Sequence, residues 1–262
     1  MSLPPVKIKP LAQLTFGQDW RLALAHDRPD YLVIWITRGQ GRLLLNGKRR
    51  GIGTHNALIV PPRTLFSVDL GRQGAGMVAL IPDGAEFRLP TGARQLRMRD
   101  ANSINEMTGI FEAAHREATQ QRPLAQDAID AHIALMSVWL RRQTAQPEHL
   151  PGQMNAAARL TERFCQRVTR YHADGSTMAD HAAALGVTAT HLTRACKSAT
   201  GRTAADLLTE RILYAARLAL IETDVPAQDI ARHLGFGSAA YFTRFMQHHT
   251  GQTPTALRKA GR

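Results

Sequence analysis

Two stretches near the C-terminus of this 262-residue chain repeat one design. The first, LGVTATHLTRACKSATGRT, begins at Leu185, and the second, LGFGSAAYFTRFMQHHTGQT, begins at Leu234. The Leu-Gly pair recurs 49 residues later and the Thr-Arg pair recurs 50 residues later, so the turn of the second copy contains one extra residue. A design used twice indicates a supersecondary unit that the chain contains in two copies.

Each copy has the pattern of a helix, a tight turn and a second helix. In the first copy, Gly186 suits the left-handed residue that ends a helix, and Thr188 suits the N-cap of the next one. In the second copy Gly235 and Ser238 take the same places. This is the sequence pattern of a helix-turn-helix. It predicts two such units, at about 178–199 and 227–249.

The second helix of each unit is predicted to present a polar face to DNA. The candidate DNA-binding residues are Thr190, Thr193, Arg194 and Lys197 in the first copy, and Ala240, Thr243, Arg244 and Gln247 in the second. Small residues allow a helix into a major groove, and Arg binds guanine or phosphate. A solvated helix face is the alternative for either copy alone, but the same phase in both copies favours DNA.

The segment between the copies, residues 204–223, is predicted to be a single helix. About 18 helical residues span about 27 Å, which is compatible with two recognition helices about one DNA turn, ~34 Å, apart. The sequence therefore predicts that one chain reads two adjacent major grooves of double-stranded DNA.

The chain is strongly basic, with a net charge of +12 and a pI near 10.7. Such a balance favours a polyanionic partner: DNA, RNA or an acidic membrane surface. No apolar run approaches the roughly 18 residues of a membrane span, and the N-terminus has no apolar signal core. Two cysteines are too few for a disulfide framework. We therefore expect a cytoplasmic protein that makes no membrane contact.

The first hundred residues are predicted to form strands. Candidate strands cover 31–39, 42–50, 56–62, 64–71 and 76–82. Within the second of these, Asn46-Gly47 is a strong hairpin signal because both turn residues need a positive φ. Short strands at this spacing indicate a small sandwich or barrel.

A helical period follows the strands. Helices are predicted from Ser103 to about Gln121 and from Pro123 to about Arg142. The second carries an apolar stripe made of Ile129, Ile133, Met136 and Leu140. This stripe suits packing either on the β-region or on the same helix of a second subunit. The Pro- and Gly-containing segment 144–153 is the best linker candidate.

One long segment of the chain resembles a known family. IARHLGFGSAAYFTRFMQHHTGQTPTALR (230–258) contains Ile-Ala, Gly-Phe, Ser, Tyr-Phe, Arg-Phe, Gly-x-Thr-Pro and a closing Arg. With these motifs, about 155–262 resembles the AraC/XylS transcription regulators. The resemblance implies an all-α domain of seven helices with two helix-turn-helix units, the first making the main base contacts. Cys196 and Leu257 replace aromatic residues usual in the family, and both replacements are apolar.

The N-terminal part resembles the effector-sensing domain of the longer family members. This resemblance implies an α+β multidomain chain: a cupin-like β-barrel with dimerisation helices over 1–143, a linker over 144–154 and the DNA-binding domain over 155–262. It further implies a sequence-specific transcription regulator, an activator modulated by a small-molecule effector. Such a regulator is expected to be a homodimer at the bacterial nucleoid and to have RNA polymerase as a further partner.

The barrel is expected to bind rather than to catalyse. Catalytic cupins place a His-x-His pair and a later His around a metal, whereas His26 and His55 stand alone here. We therefore expect no metal, no cofactor and no catalytic residue; the alternative is a cupin enzyme fused to a DNA-binding domain. The candidate effector residues are Tyr31, Trp35 and Arg38. Because Arg38 alternates to the other face, an aromatic-lined pocket and a carboxylate site both stay open.

Overall fold

The computed structural model describes residues 3–120 and 122–261 of the chain. The predicted helix end at Gln121 and the predicted domain limits at 1 and 262 lie outside the described residues. Within the described ranges, no helix is both long enough and apolar enough to cross a membrane.

Within the described residues, the N-terminal part combines eight strands with four α-helices and a short 3-10 helix at Pro147–His149. The strands are β1 (Lys7–Pro10), β2 (Tyr31–Arg38), β3 (Gln40–Leu45), β4 (Lys48–Gly53), β5 (Asn56–Val60), β6 (Phe66–Asp69), β7 (Ala75–Ile81) and β8 (Arg94–Arg97). The helices are α1 (Leu11–Thr15), α2 (Trp20–Ala23), α3 (Ala101–Gln120) and α4 (Ala125–Thr144). We call residues 7–97 the β-region.

The strands form two antiparallel sheets. One has the order β1-β7-β2-β5-β8 and the other the order β4-β3-β6. The central strand β2 is buried on both faces: Leu32 and Ile34 point into the core between the sheets, while Val33 and Trp35 point to α3 and α4. Since side chains alternate along a strand, a strand covered on both faces reads as one continuous apolar run.

The predicted hairpin is confirmed. Asn46 and Gly47 have φ angles of 46° and 77° and connect β3 to β4. Two strands were not predicted, β1 and β8. Both are four-residue edge strands rich in Lys, Arg or Pro, and short charged edges hinder pairing with other chains. They therefore lack the apolar alternation that identifies a strand in sequence.

The apolar stripe of α4 packs within the chain. Ile129, Ile133, Met136 and Leu140 are buried in one cluster with α3 and the outer face of the five-stranded sheet. Of the two alternatives for this stripe, the structure therefore selects packing on the β-region.

Seven α-helices follow the linker in the described part of the chain, as the family resemblance implies. They are α5 (Ala156–Tyr171), α6 (Met178–Ala183), α7 (Ala189–Thr200), α8 (Ala204–Glu222), α9 (Ala227–His233), α10 (Ala239–Thr250) and α11 (Pro254–Ala260). The predicted α+β organisation, a β-rich N-terminal part and a helical C-terminal part, is confirmed. The proposed domain limits and the linker at 144–154 stay predictions.

Two cores support the seven helices. The first joins α5, α6, α7 and the start of α8, and it includes Ala25, Leu44 and Leu65 of the β-region. The second joins the rest of α8 to α9, α10 and α11. The long helix α8 therefore belongs to both cores. Its 19 residues span about 28 Å, compared with ~34 Å for one DNA turn.

Candidate nucleic-acid interface

The first helix-turn-helix is built by two capped helices. Thr177 caps α6 in a capping box, since its Oγ1 accepts from Asp180 N at 3.2 Å while Thr177 N donates to Asp180 Oδ2 at 2.8 Å. Gly186 ends that helix with φ +72°, a value that L side chains rarely adopt. Thr188 then caps α7 by accepting from His191 N at 3.2 Å. The predicted turn and cap are confirmed.

The buried face of α7 orients its polar face outward. Leu192, Ala195 and Cys196 are buried against α5 and α8. Burial raises the pKa of the Cys196 thiol to about 11, so this side chain stays a neutral, apolar filler at neutral pH. Helical periodicity then places the other side of α7 at the surface.

The structure brings the four predicted residues of the first unit onto this outer face. Thr190, Arg194 and Lys197 are exposed, and Thr193 is half-buried at the edge of the face. Along α7, Arg194 lies about one helical turn from Thr190 and Lys197 lies about one turn further on, in the arrangement that a groove-binding helix needs.

The second turn uses the same construction with a tighter glycine. Gly235 has φ +76°, and a Cβ there would lie 2.5 Å from the nitrogen of Gly175, so both the conformation and the space require glycine. Phe236 fills the turn with its ring 5.1 Å from those of Phe242 and Phe245. Ser238 caps α10 by accepting from Tyr241 N at 3.1 Å.

The second set of predicted residues also gathers on one face. Ala240, Arg244 and Gln247 are exposed. Thr243 is half-buried, and its hydroxyl donates to the Ala239 carbonyl at 2.9 Å within the helix. Because its donor is already used, Thr243 offers a base edge only an acceptor. The face of α10 therefore has fewer groups for reading bases than its length suggests.

Two further exposed residues lie beside these faces. His191 on α7 and Tyr241 on α10 occupy equivalent positions 50 residues apart, and Tyr241 is 55% exposed. A solvent-exposed aromatic ring at the start of a recognition helix suits contact with a sugar or a thymine methyl group. Neither was among the predicted residues, although the 50-residue offset of the repeat would have found both.

The cations of both faces are free to meet phosphate. Among residues 3–120 and 122–261, Arg194, Lys197 and Arg244 form no ion pair. A cation without an internal partner breaks no ion pair of the protein when it binds a phosphate, which makes such residues suited to DNA contact.

The closing arginine of the family pattern has a structural position. Arg258 Nε donates to the Leu220 carbonyl at 3.1 Å, and its Nη2 donates to the Val225 carbonyl. These bonds tie α11 to the carboxyl end of α8, so Arg258 holds the second unit together rather than facing outward.

The three candidate effector residues do not meet. Tyr31 OH donates to the Pro90 carbonyl at 2.7 Å, and Trp35 Nε1 donates to Thr108 Oγ1 at 3.1 Å; both side chains are buried. Arg38 is exposed, with its Nε on the Gln73 carbonyl at 3.1 Å. The two aromatic side chains are engaged in packing under α3 and α4, and a role for the three residues in effector binding stays a prediction.

The two lone histidines also stay apart. His26 is fully buried, with its ring stacked 4.2 Å from that of Tyr214, and burial lowers its pKa to about 3. His55 lies at a turn with φ 60°. Among the described residues no group of three or more His, Cys, Asp or Glu side chains could hold a metal ion.

The C-terminal part of the chain is similar to known helix-turn-helix proteins. Residues 181–260 match a family model described as a helix-turn-helix domain. The chain is also 38% identical over 71 residues to a probable transcription factor, PqrA, of Proteus vulgaris. That segment is 27% of this chain, and the chain spans 58% of the length of this curated relative.

Solved structures resemble the chain over part or most of its length. The C-terminal domain of the two-component response regulator yesN from Fusobacterium nucleatum is 22% identical, with a TM-score of 0.36, over 38% of this chain and 98% of that domain. Unsaturated fatty acid-bound wild-type ToxT from Vibrio cholerae is 13% identical, with a TM-score of 0.44, over 97% of this chain and 95% of that one.

Proposed function

We propose, from the premise that residues 181–260 are an AraC-type helix-turn-helix domain, that this chain is a sequence-specific DNA-binding transcription regulator. Its two recognition helices, α7 and α10, would enter two successive major grooves on one side of the duplex. The predicted DNA-binding residues on each helix make the contacts, with α7 reading bases and α10 relying more on the backbone.

One observation carries this proposal: two helices, each capped by a hydroxyl residue after a left-handed glycine, expose the same Thr-Arg face and are joined by one continuous helix. A single solvated helix would not need this repetition. Because α8 is continuous, the two faces are held at a set distance and phase, which is what a two-groove contact requires.

The N-terminal part is proposed to sense a small molecule and to act by binding, without catalysis. The resemblance to the AraC/XylS regulators supports a cupin-like sensor, transcription activation, a homodimer and contact with RNA polymerase. The same resemblance supports a location in the bacterial cytoplasm, at the nucleoid.

The test uses DNA whose two half-sites can be moved. A preferred duplex is first selected from a random pool, and its affinity is measured by fluorescence anisotropy with the full chain. Inserting five base pairs between the half-sites turns one of them by half a turn, so we expect the affinity to fall by about tenfold or more. The affinity for the original duplex should also fall steeply with salt, because phosphate contacts release counterions.

The controls separate sequence reading from charge. A ten-base-pair insertion restores the phase and tests whether distance alone is limiting, and a scrambled duplex measures non-specific binding. Equal affinity for the selected, the five-base-pair and the scrambled duplexes, or a flat salt titration, would exclude two-groove recognition.

A further inference from the structure

The β3–β4 hairpin brings a basic strand of the β-region against the first recognition helix. Strand β4 begins with Lys48, Arg49 and Arg50, and it contacts α7. Its register pairs Arg49 with Leu44 of β3, and directly paired residues of an antiparallel sheet project from the same face. Leu44 is buried in one core with Leu192 of α7. Arg49 therefore lies on the face of the sheet that meets the DNA-binding helices.

The side chain of Arg49 continues the exposed row of α7. Arg194, Lys197 and Gly201 follow one another at intervals of three and four residues, so at 100° per residue they share one side of the helix. Gly201, which follows the last residue of α7, has no side chain. A Cβ there would lie 2.8 Å from Arg49 Nη1, so the guanidinium of Arg49 occupies the next position of the row.

We propose that Arg49 binds a DNA phosphate beside the groove that α7 enters, so that the β-region itself forms part of the DNA-binding surface. The proposal rests on the proposed function, which places α7 in a major groove. It adds to that function a contact from outside the helix-turn-helix units.

The position of Arg49 along α7 suits a phosphate rather than a base. Gly201, over which the Arg49 guanidinium lies, is seven residues beyond Arg194, or about 10 Å along the helix axis. The major groove is about 12 Å wide, so a helix that places Arg194 over base edges brings its carboxyl end close to the bordering backbone. A guanidinium at that end can donate to two phosphate oxygens at once.

The charge of Arg49 is available to a ligand. Arg49 is exposed and forms no ion pair within the described part of the chain. The acidic side chains in the first two turns of α8, the helix that follows α7, are engaged elsewhere. Asp206 Oδ2 accepts from Thr203 N at 2.8 Å, and Glu210 pairs with Arg202 at 2.6 Å. Binding of a phosphate by Arg49 therefore breaks no ion pair of the protein.

The hairpin holds Arg49 in a set position relative to α7. The Asn46 side chain in the turn donates to Glu162 of α5, and Leu44 is packed in the core that α5 and α7 share. A group that is already ordered loses less conformational freedom on binding than a group on a mobile segment. The same attachment makes DNA affinity sensitive to any displacement of the hairpin.

Arg49 also lies at the carboxyl end of α7, where a cation interacts favourably with the helix dipole. That role alone would stabilise the fold and leave the salt dependence of DNA binding unchanged. A phosphate contact, in contrast, releases counterions, and each such contact contributes about 0.9 to the slope of log K against log salt concentration. The salt slope therefore separates the two roles.

The test measures the DNA affinity of the full chain against salt concentration by fluorescence anisotropy, with the preferred and the scrambled duplexes. We expect Arg49→Gln to make the slope shallower by about 0.9, which corresponds to about eightfold weaker binding at 0.1 M salt. Both duplexes should lose affinity alike, because a phosphate contact carries no sequence information. Arg49→Lys, which keeps the charge, should restore most of the slope.

Arg50→Gln is the matched control. Arg50 is the next residue of β4, is exposed and carries the same charge. It pairs with Leu43, whose side chain lies in the core between the sheets, so Arg50 is on the opposite face from Arg49. This variant should leave the salt slope unchanged.

Two results would overturn the inference. An unchanged slope in Arg49→Gln, with or without a loss of stability in urea unfolding, would restrict Arg49 to the end of α7. An equal change of slope in Arg49→Gln and Arg50→Gln would show an effect of net charge alone.

Failure of this inference is distinguishable from failure of the proposed function. If the preferred duplex still binds more tightly than the scrambled one while Arg49→Gln leaves the slope unchanged, α7 reads DNA without help from the β-region. If the unsubstituted chain prefers no duplex over another, the proposed function fails and the inference fails with it.

Discussion

The two helix-turn-helix units share one design but differ in what surrounds them. The core of the first unit includes side chains of the β-region, with Leu44 and Leu65 packed in one cluster with Phe164 and Leu192. The second unit has a core almost entirely of its own helices, rich in aromatic side chains around Phe236. The first unit is therefore fixed to the N-terminal part, while the second is attached mainly through α8.

The turn of the β3–β4 hairpin makes this attachment close. The Asn46 side chain donates to Glu162 of α5, and a Cβ on Gly47 would lie 3.1 Å from the Thr161 carbonyl carbon. The glycine demanded by the turn is thus also the residue that lets the hairpin reach α5. Any movement of the hairpin would consequently displace α5 and, through it, the first unit.

Both units share the contact that α8 makes with the β-region. Ala25 N donates to Glu210 Oε2 at 3.0 Å, and Asp27 pairs with Arg211 one residue further along the helix. The stacked rings of His26 and Tyr214 complete this contact. The difference between the units indicates that the second recognition helix is coupled to the β-region mainly through α8.

The largest effect is expected when the buried ion pair between Asp27 and Arg211, which connects the β-region to α8, is broken. In Asp27→Asn the Arg211 charge is left buried without compensation, so we expect a loss of roughly 3–5 kcal/mol in the free energy of unfolding. The two side chains are 12% and 11% exposed, which is why their charges are poorly screened. Urea unfolding of the full chain measures the change.

The second unit offers the matched control. Asp229 pairs with Arg232 at 3.2 Å within α9, but the two side chains are 38% and 79% exposed. Asp229→Asn should therefore cost less than about 0.5 kcal/mol. Similar losses in the free energy of unfolding from the two substitutions would mean that the ion pair between Asp27 and Arg211 stabilises the protein no more than an ordinary surface pair.

A smaller effect distinguishes how the two units contact DNA. Arg194→Ala should weaken binding to the preferred duplex by about 1–3 kcal/mol and relax its sequence preference, because a base contact is lost. Arg244→Ala should weaken binding to preferred and scrambled duplexes alike, by about 1 kcal/mol, as expected of a phosphate contact. Anisotropy titrations with both duplexes separate the two outcomes.

The proposed difference between the two units would be contradicted if Arg194 and Arg244 made equivalent contributions to DNA binding. A folded Arg194→Ala variant with unchanged specific affinity would remove α7 from base reading. If instead Arg244→Ala altered the preferred sequence, the second unit would have to be regarded as an equal reader.

Local sequence patterns were sufficient to predict the helix-turn-helix units. Contacts between residues far apart in the sequence could not be predicted in this way. The caps and turns at Gly186, Thr188, Gly235 and Ser238 depend on neighbouring residues only, so their spacing is sufficient to find them. The repeat then placed the exposed faces in phase. The same locality explains the Asn46-Gly47 hairpin.

The contacts between the halves had no such signal. Arg211 and Asp27 are 184 residues apart, and Glu210 and Ala25 are 185 apart. In the sequence, Arg211 has the pattern of an ordinary polar position on an amphipathic helix. Only the tertiary structure reveals that it is buried and paired. The candidate effector residues lie on one strand, where Tyr31 and Trp35 pack under α3 and α4, and their role in effector binding stays a prediction.

A further effect of comparable size is a pH dependence that arises at the contact of the β-region with α8. The carbonyl of Leu24 accepts from His26 Nδ1 at 2.9 Å, and burial lowers the His26 pKa to about 3, with the Arg28 and Arg211 charges acting in the same direction. An unfolded chain restores a pKa near 6.5. The folded protein therefore has the full contribution of neutral His26 above about pH 6.5, and loses it as the pH falls toward 3.

Between neutral pH and pH 5.5 this loss amounts to about 1.4 kcal/mol. His26→Phe keeps an aromatic ring between Phe66 and Tyr214 but cannot be protonated, so its stability should fall by about that much less over the same interval. Urea unfolding at pH 7.5 and 5.5 compares the two proteins. The pKa values of His172 and His181 are also lowered by burial, and both residues are present in each protein, so their contributions cancel. An equal fall in both proteins would show that acid acts elsewhere, and that the contact of the β-region with α8 is insensitive to pH.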